Sequence, residues 1–205
     1  MVHGRDPDRA KAVAELISKR GGHAEVAVGD LTTEAGSAAT VAVVVETMGG
    51  IDILVNNVGA PVGGKKADWF ENSVQDWADS FAVNTLAAVR MIHAFVPAMV
   101  ASGWGRSIQI SSRNAISPHA DLCTYGAAKA AVNSLTLSLS KGLAGTGVTS
   151  NGVMPSLTYT PMIDRFFADV AEQQGWPGDL DRDRVLSNMV MQTVSRLGQP
   201  TEAIW

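Results

Sequence analysis

The chain has 205 residues, 46% of them hydrophobic, which is enough for one sizeable core and sets a single domain, 1–205, as the expectation. Sixteen Lys and Arg against 20 Asp and Glu give a net charge of −4 with the signs interspersed, so neither a nucleic-acid-binding stripe nor a basic membrane-surface patch is present. A lone Cys123 excludes an intramolecular disulfide framework, MVHGRDPDRA has no apolar signal core, and apolar runs such as VAVVV (41–45) are too short to span a bilayer; a soluble cytoplasmic protein is expected.

The first predicted element is a helix over 6–22: Asp6 caps it, Pro7 suits its first turn, Gly21–Gly22 ends it, and Ala10, Val13, Leu16 and Ile17 form its apolar stripe. HAEVAVGD (23–30) reads as a strand ending in Asp30, and a second helix runs from about Thr33 to Met48. IDILVNN (51–57) is apolar enough for a strand buried on both faces. A long helix over 73–102 turns Val74, Trp77, Phe81, Ala88, Ile92 and Val96 inward, with Pro97 bending or weakening it. GRSIQISS (105–112) is a strand, 124–143 a helix with Ala128, Ala131, Val132, Leu135 and Leu139 on one side, and GVTSNGVMP (147–155) a strand. Helical pieces follow at 161–174 and 182–195. Strands alternating with helices imply an α/β fold: a Rossmann-like, doubly wound parallel sheet with helices on both faces.

Ligands of such sheets bind beyond the carboxyl ends of the strands. Polar residues gather there: Asp30; Asn56, Asn57 and Gly59; Ser111 and Ser112; and Pro155, Ser156 and Thr160. Tyr125 and Lys129 stand four residues apart, one helical turn, so their side chains leave the same face. By spacing alone they are either an acid–base pair or two helix neighbours. Asn84 suits a bond to a neighbouring carbonyl as well as a site role, Asp30 a helix entry, Arg5 a solvated surface, and Thr160 an N-cap. His93 and His119 lack metal-ligand spacing, Cys123 has no His base placed for it, and the tryptophans at 69, 77, 104 and 176 suit packing.

NNVG (56–59), SS (111–112), YGAAK (125–129), PSLTYT (155–160) and RLGQP (196–200) resemble, in order and spacing, the short-chain dehydrogenase/reductase family. Ser112 lies thirteen residues before Tyr125, as in that family. The resemblance implies a carbonyl–alcohol oxidoreductase similar to 3-oxoacyl reductases. Tyr125 is then the general acid, Lys129 the cation that favours its phenolate, Ser112 the partner of the substrate oxygen, and Asn84 the residue holding a water between lysine and solvent. It likewise implies Asp30 and Leu31 around the adenine, Asn57 and Gly59 beside the adenosine, and Pro155, Leu157 and Thr160 near the nicotinamide, with Tyr125 and Lys129 also touching cofactor. Arg5 follows Gly4, which stands where NAD-preferring relatives carry an acid; its planar fork suits a 2′-phosphate, so NADP(H) is expected before NAD(H). A small-molecule carbonyl or alcohol substrate, a homodimer or homotetramer through helices 73–102 and 124–143, and a substrate lid at 161–195 complete these expectations, with no metal.

The chain departs from the family pattern in having no glycine-rich turn to cradle a pyrophosphate; MVHGRD resembles the end of the second strand, and PTEAIW stops before the last helix and strand. Truncation at both ends is therefore expected, leaving an unpaired edge on strand 51–57. Ser156 and Ala128 stand where the family has Gly and Ser. The alternative from another class is a non-catalytic remnant, or a partner subunit of a complete homologue, unable to bind cofactor.

Overall fold

A computed structural model of the chain describes residues 1–62 and 69–155, with Ala168 and Glu172 beyond them. It divides into two compact units, Met1–Val153 and Met154–Trp205. In the second, Ala168 and Glu172 are helical; the rest of the expected helices at 161–174 and 182–195, and of the lid at 161–195, lies outside the described residues.

Local chemistry starts the first unit. Strand β1 (Val2–Gly4) leads to Asp6, whose carboxylate accepts from the Asp8 and Arg9 N–H groups (3.0 and 3.1 Å), and Pro7 opens helix α1 (Pro7–Lys19). Strand β2 (Val26–Val28) follows, then α2 (Glu34–Met48), capped by Thr33 and stopped by Gly49 at φ 71°. Strand β3 is Ile53–Asn56. A Ser73–Asp76 capping box opens α3 (Val74–Phe81), which continues through a π-helical turn, Ala82–Leu86, into α4 (Ala87–Ser102). Strand β4 (Gly105–Ile110), helix α5 (Cys123–Gly142) and strand β5 (Val148–Val153) complete the unit.

Among the described residues all pairings are parallel, in two sheets: β1 with β2, and β3–β4–β5. The α/β class stands. No ladder joins β1 to β3 among the described residues, so β3 presents the unpaired edge expected of it. Helix α4 covers one face of the larger sheet, packing Met91, Ile92, Phe95, Val96 and Met99 with Leu54 and Val148. It comes so close that a Cβ on Gly105 would lie 2.6 Å from that of Met99.

Burial corrects three expectations. On α1 the inward residues are Ala10 and Ala14, while Val13 and Leu16 are exposed. Val74, at the first turn of α3, is 87% exposed. Strand β3 is not buried on both faces: Leu54 is covered, but Ile53 and Val55 are 53% and 52% exposed, with no described residue covering that side of the strand. That covered side holds polar residues, Ser107, Gln109 and Ser150, with Asn56 Nδ2 donating to Gln109 Oε1 (2.9 Å) and Gln109 Nε2 to Ser107 Oγ (2.8 Å). Val74–Ser102 forms one 29-residue helix, long and apolar enough by composition to cross a membrane, beyond what any short apolar run suggests; 44% of its most apolar window is buried inside the protein.

Candidate active site

Strand β4 ends at Ile110, and Ser111 and Ser112 follow in extended backbone before a short turn, Arg113–Ala115. Ser112 Oγ accepts from the Asn114 N–H (3.2 Å), and its side chain lies near enough to the Tyr125 phenol to act on that group's proton. Helix α5 carries Tyr125 in its first turn and Lys129 one turn on, with Nζ 5.8 Å from the phenol ring centroid. Two buried hydroxyls fasten this helix from its sides. Ser111 donates to the Lys129 carbonyl (3.2 Å), and Thr85 to the Ala128 carbonyl (3.0 Å). Neither was singled out as a support by the sequence; their only signal is adjacency to Ser112 and Asn84.

Burial dominates the electrostatics. Lys129 is 3% exposed and its Nζ donates to the Ile110 carbonyl (2.8 Å). Desolvation pushes its ammonium down to about 8 from 10.5. Such a shift corresponds to roughly 3 kcal/mol against the charged form at neutral pH. Burial also pushes the Tyr125 phenol up, opposed by the Ser112 side chain. With its value raised above 10.0, Tyr125 holds its proton at neutral pH. A protonated phenol beside a serine hydroxyl is equipped to donate to a carbonyl oxygen.

Asn84 is buried in the π-helical turn. Its Nδ2 donates to the Ser80 carbonyl (2.9 Å), the acceptor that an α-helical Asn84 N–H would take, and the Ala87 N–H bonds Ala82 five residues back. The same amide clamps the loop after β3: Oδ1 accepts from the Ala60 N–H (3.0 Å) and Nδ2 also donates to the Ala60 carbonyl (2.9 Å). A longer contact from Nδ2 reaches Ser80 Oγ (3.5 Å). Gly59 is where Asn84 and Lys129 converge. A Cβ there would lie 2.7 Å from Asn84 Oδ1 and 2.8 Å from Lys129 Nζ.

A second cluster occupies the carboxyl ends of β1 and β2. Arg5, Asp30 and Leu31 line a cavity of about 90 Å³ with His3, Gly4, Thr32, Val58 and Val83. Asp30 Oδ1 accepts from the Thr32 N–H and hydroxyl (2.9 and 2.8 Å), and these bonds, with smaller help from Arg5 and His3, hold its carboxyl below the usual range. Arg90, from α4, donates to the Leu31 carbonyl (3.1 Å). His3, Thr32, Val58 and Val83 were missed by motif reading. Asn57 is exposed, with its N–H donating to the Val55 carbonyl (3.2 Å), and precedes Val58 of the cavity lining. Pro155 belongs to the second unit, and Leu157 and Thr160 lie outside the described residues.

Comparison with known proteins meets this geometry. The short chain dehydrogenase family model matches residues 1–171. D-beta-hydroxybutyrate dehydrogenase of Rhizobium meliloti (strain 1021) is 31% identical over 173 residues, an overlap taking in 84% of this chain but 62% of that protein. Among solved structures, L-sorbose reductase from Gluconobacter frateurii, complexed with NADPH and L-sorbose, superposes with a TM-score of 0.85 at 27% identity, covering 98% of this chain and 74% of its own. A 3-oxoacyl (acyl-carrier-protein) reductase from Agrobacterium tumefaciens C58 with NADP bound gives 0.81 at 30% identity, covering 98% and 73%.

Proposed function

The chain belongs to the short-chain dehydrogenase family, and on that premise we propose that it is a nicotinamide-dependent oxidoreductase interconverting a small-molecule carbonyl and an alcohol. The observation that carries this is the neighbouring Ser112 and Tyr125 side chains, with the buried Lys129 one helical turn on from the tyrosine. When bound, the nicotinamide supplies or accepts the hydride. Tyr125 gives its hydroxyl proton to the nascent alkoxide, or takes it back in oxidation, and Ser112 donates to the same oxygen and orients it. Lys129 places a cation beside the phenol in the protonation state it keeps below about pH 8. Asn84 holds the Gly59–Ala60 backbone in place, and Gly59 leaves room for the lysine head.

We assign the adenosine end of a dinucleotide to the rim around the cavity at the ends of β1 and β2. Asp30 and Leu31 flank the base, and the exposed Arg5 offers a paired, charge-assisted contact to a 2′-phosphate. NADP(H) is therefore preferred over NAD(H), in keeping with the relatives solved with NADPH and NADP. The family resemblance assigns Asn57 and Gly59 to the adenosine side of the cofactor, and Pro155, Leu157 and Thr160 to the nicotinamide. The protein works in the cytoplasm as a homodimer or homotetramer whose contact surface runs along 73–102 and 124–143, where Leu86, Val100 and Leu137 are exposed; a monomer by light scattering refutes that arrangement. Tyr125→Phe tests the chemistry: NADPH oxidation with a panel of ketones falls at least a hundredfold, and full activity in the variant ends the proposal.

The break between the β1–β2 and β3–β4–β5 sheets favours a second reading, a partner or remnant without cofactor. Thermal denaturation separates the two. NADPH at ~100 times its dissociation constant adds roughly 2.7 kcal/mol to a binding-competent fold, and nothing to the alternative.

A further inference from the structure

Among the described residues two buried side-chain oxygens, Asn114 Oδ1 and Ser150 Oγ, have no hydrogen-bond partner. A buried polar atom left unpaired costs stability, so such atoms are rare and each asks for a reason. Ser150 lies mid-strand in β5, opposite Ser107 of β4, away from the strand ends where ligands bind. Asn114 is placed differently. It stands in the turn Arg113–Ala115, two residues after Ser112, and its N–H donates to Ser112 Oγ (3.2 Å). On its other side, a Cβ on Gly126 would lie 3.0 Å from the Asn114 carbonyl oxygen, and Gly126 directly follows Tyr125 in the first turn of α5. The Asn114 backbone is thus held between the two residues assigned to the substrate oxygen. The residue as a whole is only partly buried, so a change of rotamer brings the amide oxygen out to a group bound there.

We infer that Asn114 is a specificity-determining residue whose amide oxygen accepts a hydrogen bond from a substrate hydroxyl one or two carbons from the reacting carbonyl, which makes hydroxy ketones, and the diols they become, the substrate class. The inference rests on the reading of Ser112 and Tyr125 as the partners of the carbonyl oxygen. Those two side chains serve that oxygen as donors. A hydroxyl on a neighbouring carbon needs an acceptor instead, and Asn114 Oδ1 is the acceptor left unpaired in this turn. Two residues of chain span at most about 7 Å, so an amide anchored there reaches the carbons next to the carbonyl and not the far end of a long substrate. Binding a donor ends the penalty that the free fold carries, and the gain goes to the hydroxylated substrate alone. A plain ketone has nothing to donate, and an ether oxygen only accepts.

The test measures kcat/KM with NADPH for a plain ketone, for ketones hydroxylated one and two carbons from the carbonyl, and for the methyl ethers of both, which match the hydroxyl's pull on the carbonyl without its proton. Wild type prefers a hydroxy ketone over its ether by about tenfold, the worth of one neutral hydrogen bond, and Asn114→Leu, which keeps the N–H for Ser112 and removes the amide oxygen, brings that ratio to about one. Reading a ratio separates recognition from a general loss of activity. No preference in wild type, or a preference that survives in the variant, overturns the inference, while turnover of the ketones leaves the catalytic reading standing. No turnover of any ketone by wild type overturns both. Urea unfolding gives a readout that needs no substrate. Replacing an unpaired buried oxygen with an apolar side chain of like size leaves the midpoint at or above that of wild type. A lower midpoint, or a variant that does not fold, means that the oxygen has a partner inside the fold, and the inference falls.

Discussion

The two clusters on this rim solve the problem of placing charge in opposite ways. At the ends of β1 and β2 the charges are solvated: Arg5 is exposed, and Asp30 is tuned by hydrogen bonds from Thr32. At the end of β4 they are buried, and Lys129 and Tyr125 are both moved toward their neutral forms by desolvation. A charge left in water contributes attraction at little cost in stability, and salt screens it. A charge taken out of water costs folding energy and acts strongly on whatever lies beside it. The first arrangement suits recognition of an anion; the second suits proton chemistry.

Substitutions sharpen that contrast. The largest effect belongs to Lys129→Met. Activity falls about 10²- to 10⁴-fold, yet removal of the desolvated ammonium raises stability at pH 7 by about 1 kcal/mol, once the orphaned Ile110 carbonyl is set against it. The sign reverses with pH in a defined window. The Lys129 folded value, about 8, lies below its unfolded 10.5, so wild-type stability rises between these values as the unfolded chain comes to hold the extra proton. Urea unfolding at pH 7 and near pH 10 then shows the variant's advantage disappearing; an advantage constant with pH refutes the burial account.

Gly59→Ala comes next. Its methyl meets Asn84 Oδ1 and Lys129 Nζ, so either head group must move, with a loss of about 1–3 kcal/mol and of most activity. Unchanged unfolding and turnover break the claim that the two groups converge there. Arg5→Ala leaves the fold and NADH binding untouched but weakens NADPH about tenfold to a hundredfold by titration. Smallest is Asp30→Asn. A carboxylate with a lowered value stabilises the fold above its unfolded 3.8 and ceases to do so as pH falls through the folded value, so the slight urea-midpoint gap between wild type and variant at pH 7 narrows on acidification below 3.8.

Much of this was legible in the residues. Asp6–Pro7 and Thr33 marked helix starts through their cap chemistry, and YGAAK set Tyr125 and Lys129 one turn apart because helical period alone does so. What escaped depends on neighbours distant in sequence. Val13 and Leu16 satisfy a helical stripe, but Ala10 and Ala14 are the ones that meet a partner. His3 carries no motif, and only the side-by-side ends of β1 and β2 bring it to Arg5 and Asp30. The π-helical turn arises from Asn84 competing for Ser80's carbonyl, which no periodicity reveals. Nor does hydropathy foretell that the helix-covered side of β4 is the polar one.

That polar side has a consequence for strand alignment. In a layer of Leu and Val, sliding β3 along β4 by two residues would exchange one apolar neighbour for another at small penalty. Here the slide would strand the Gln109 amide beneath α4 with Leu54 as its new neighbour, at a cost of about 1–3 kcal/mol for each unmet polar group. Asn56 and Gln109 thus act as a pin through the two strands, and because Asn56 stands three residues before Gly59, the same pin sets where the loop beside the lysine begins.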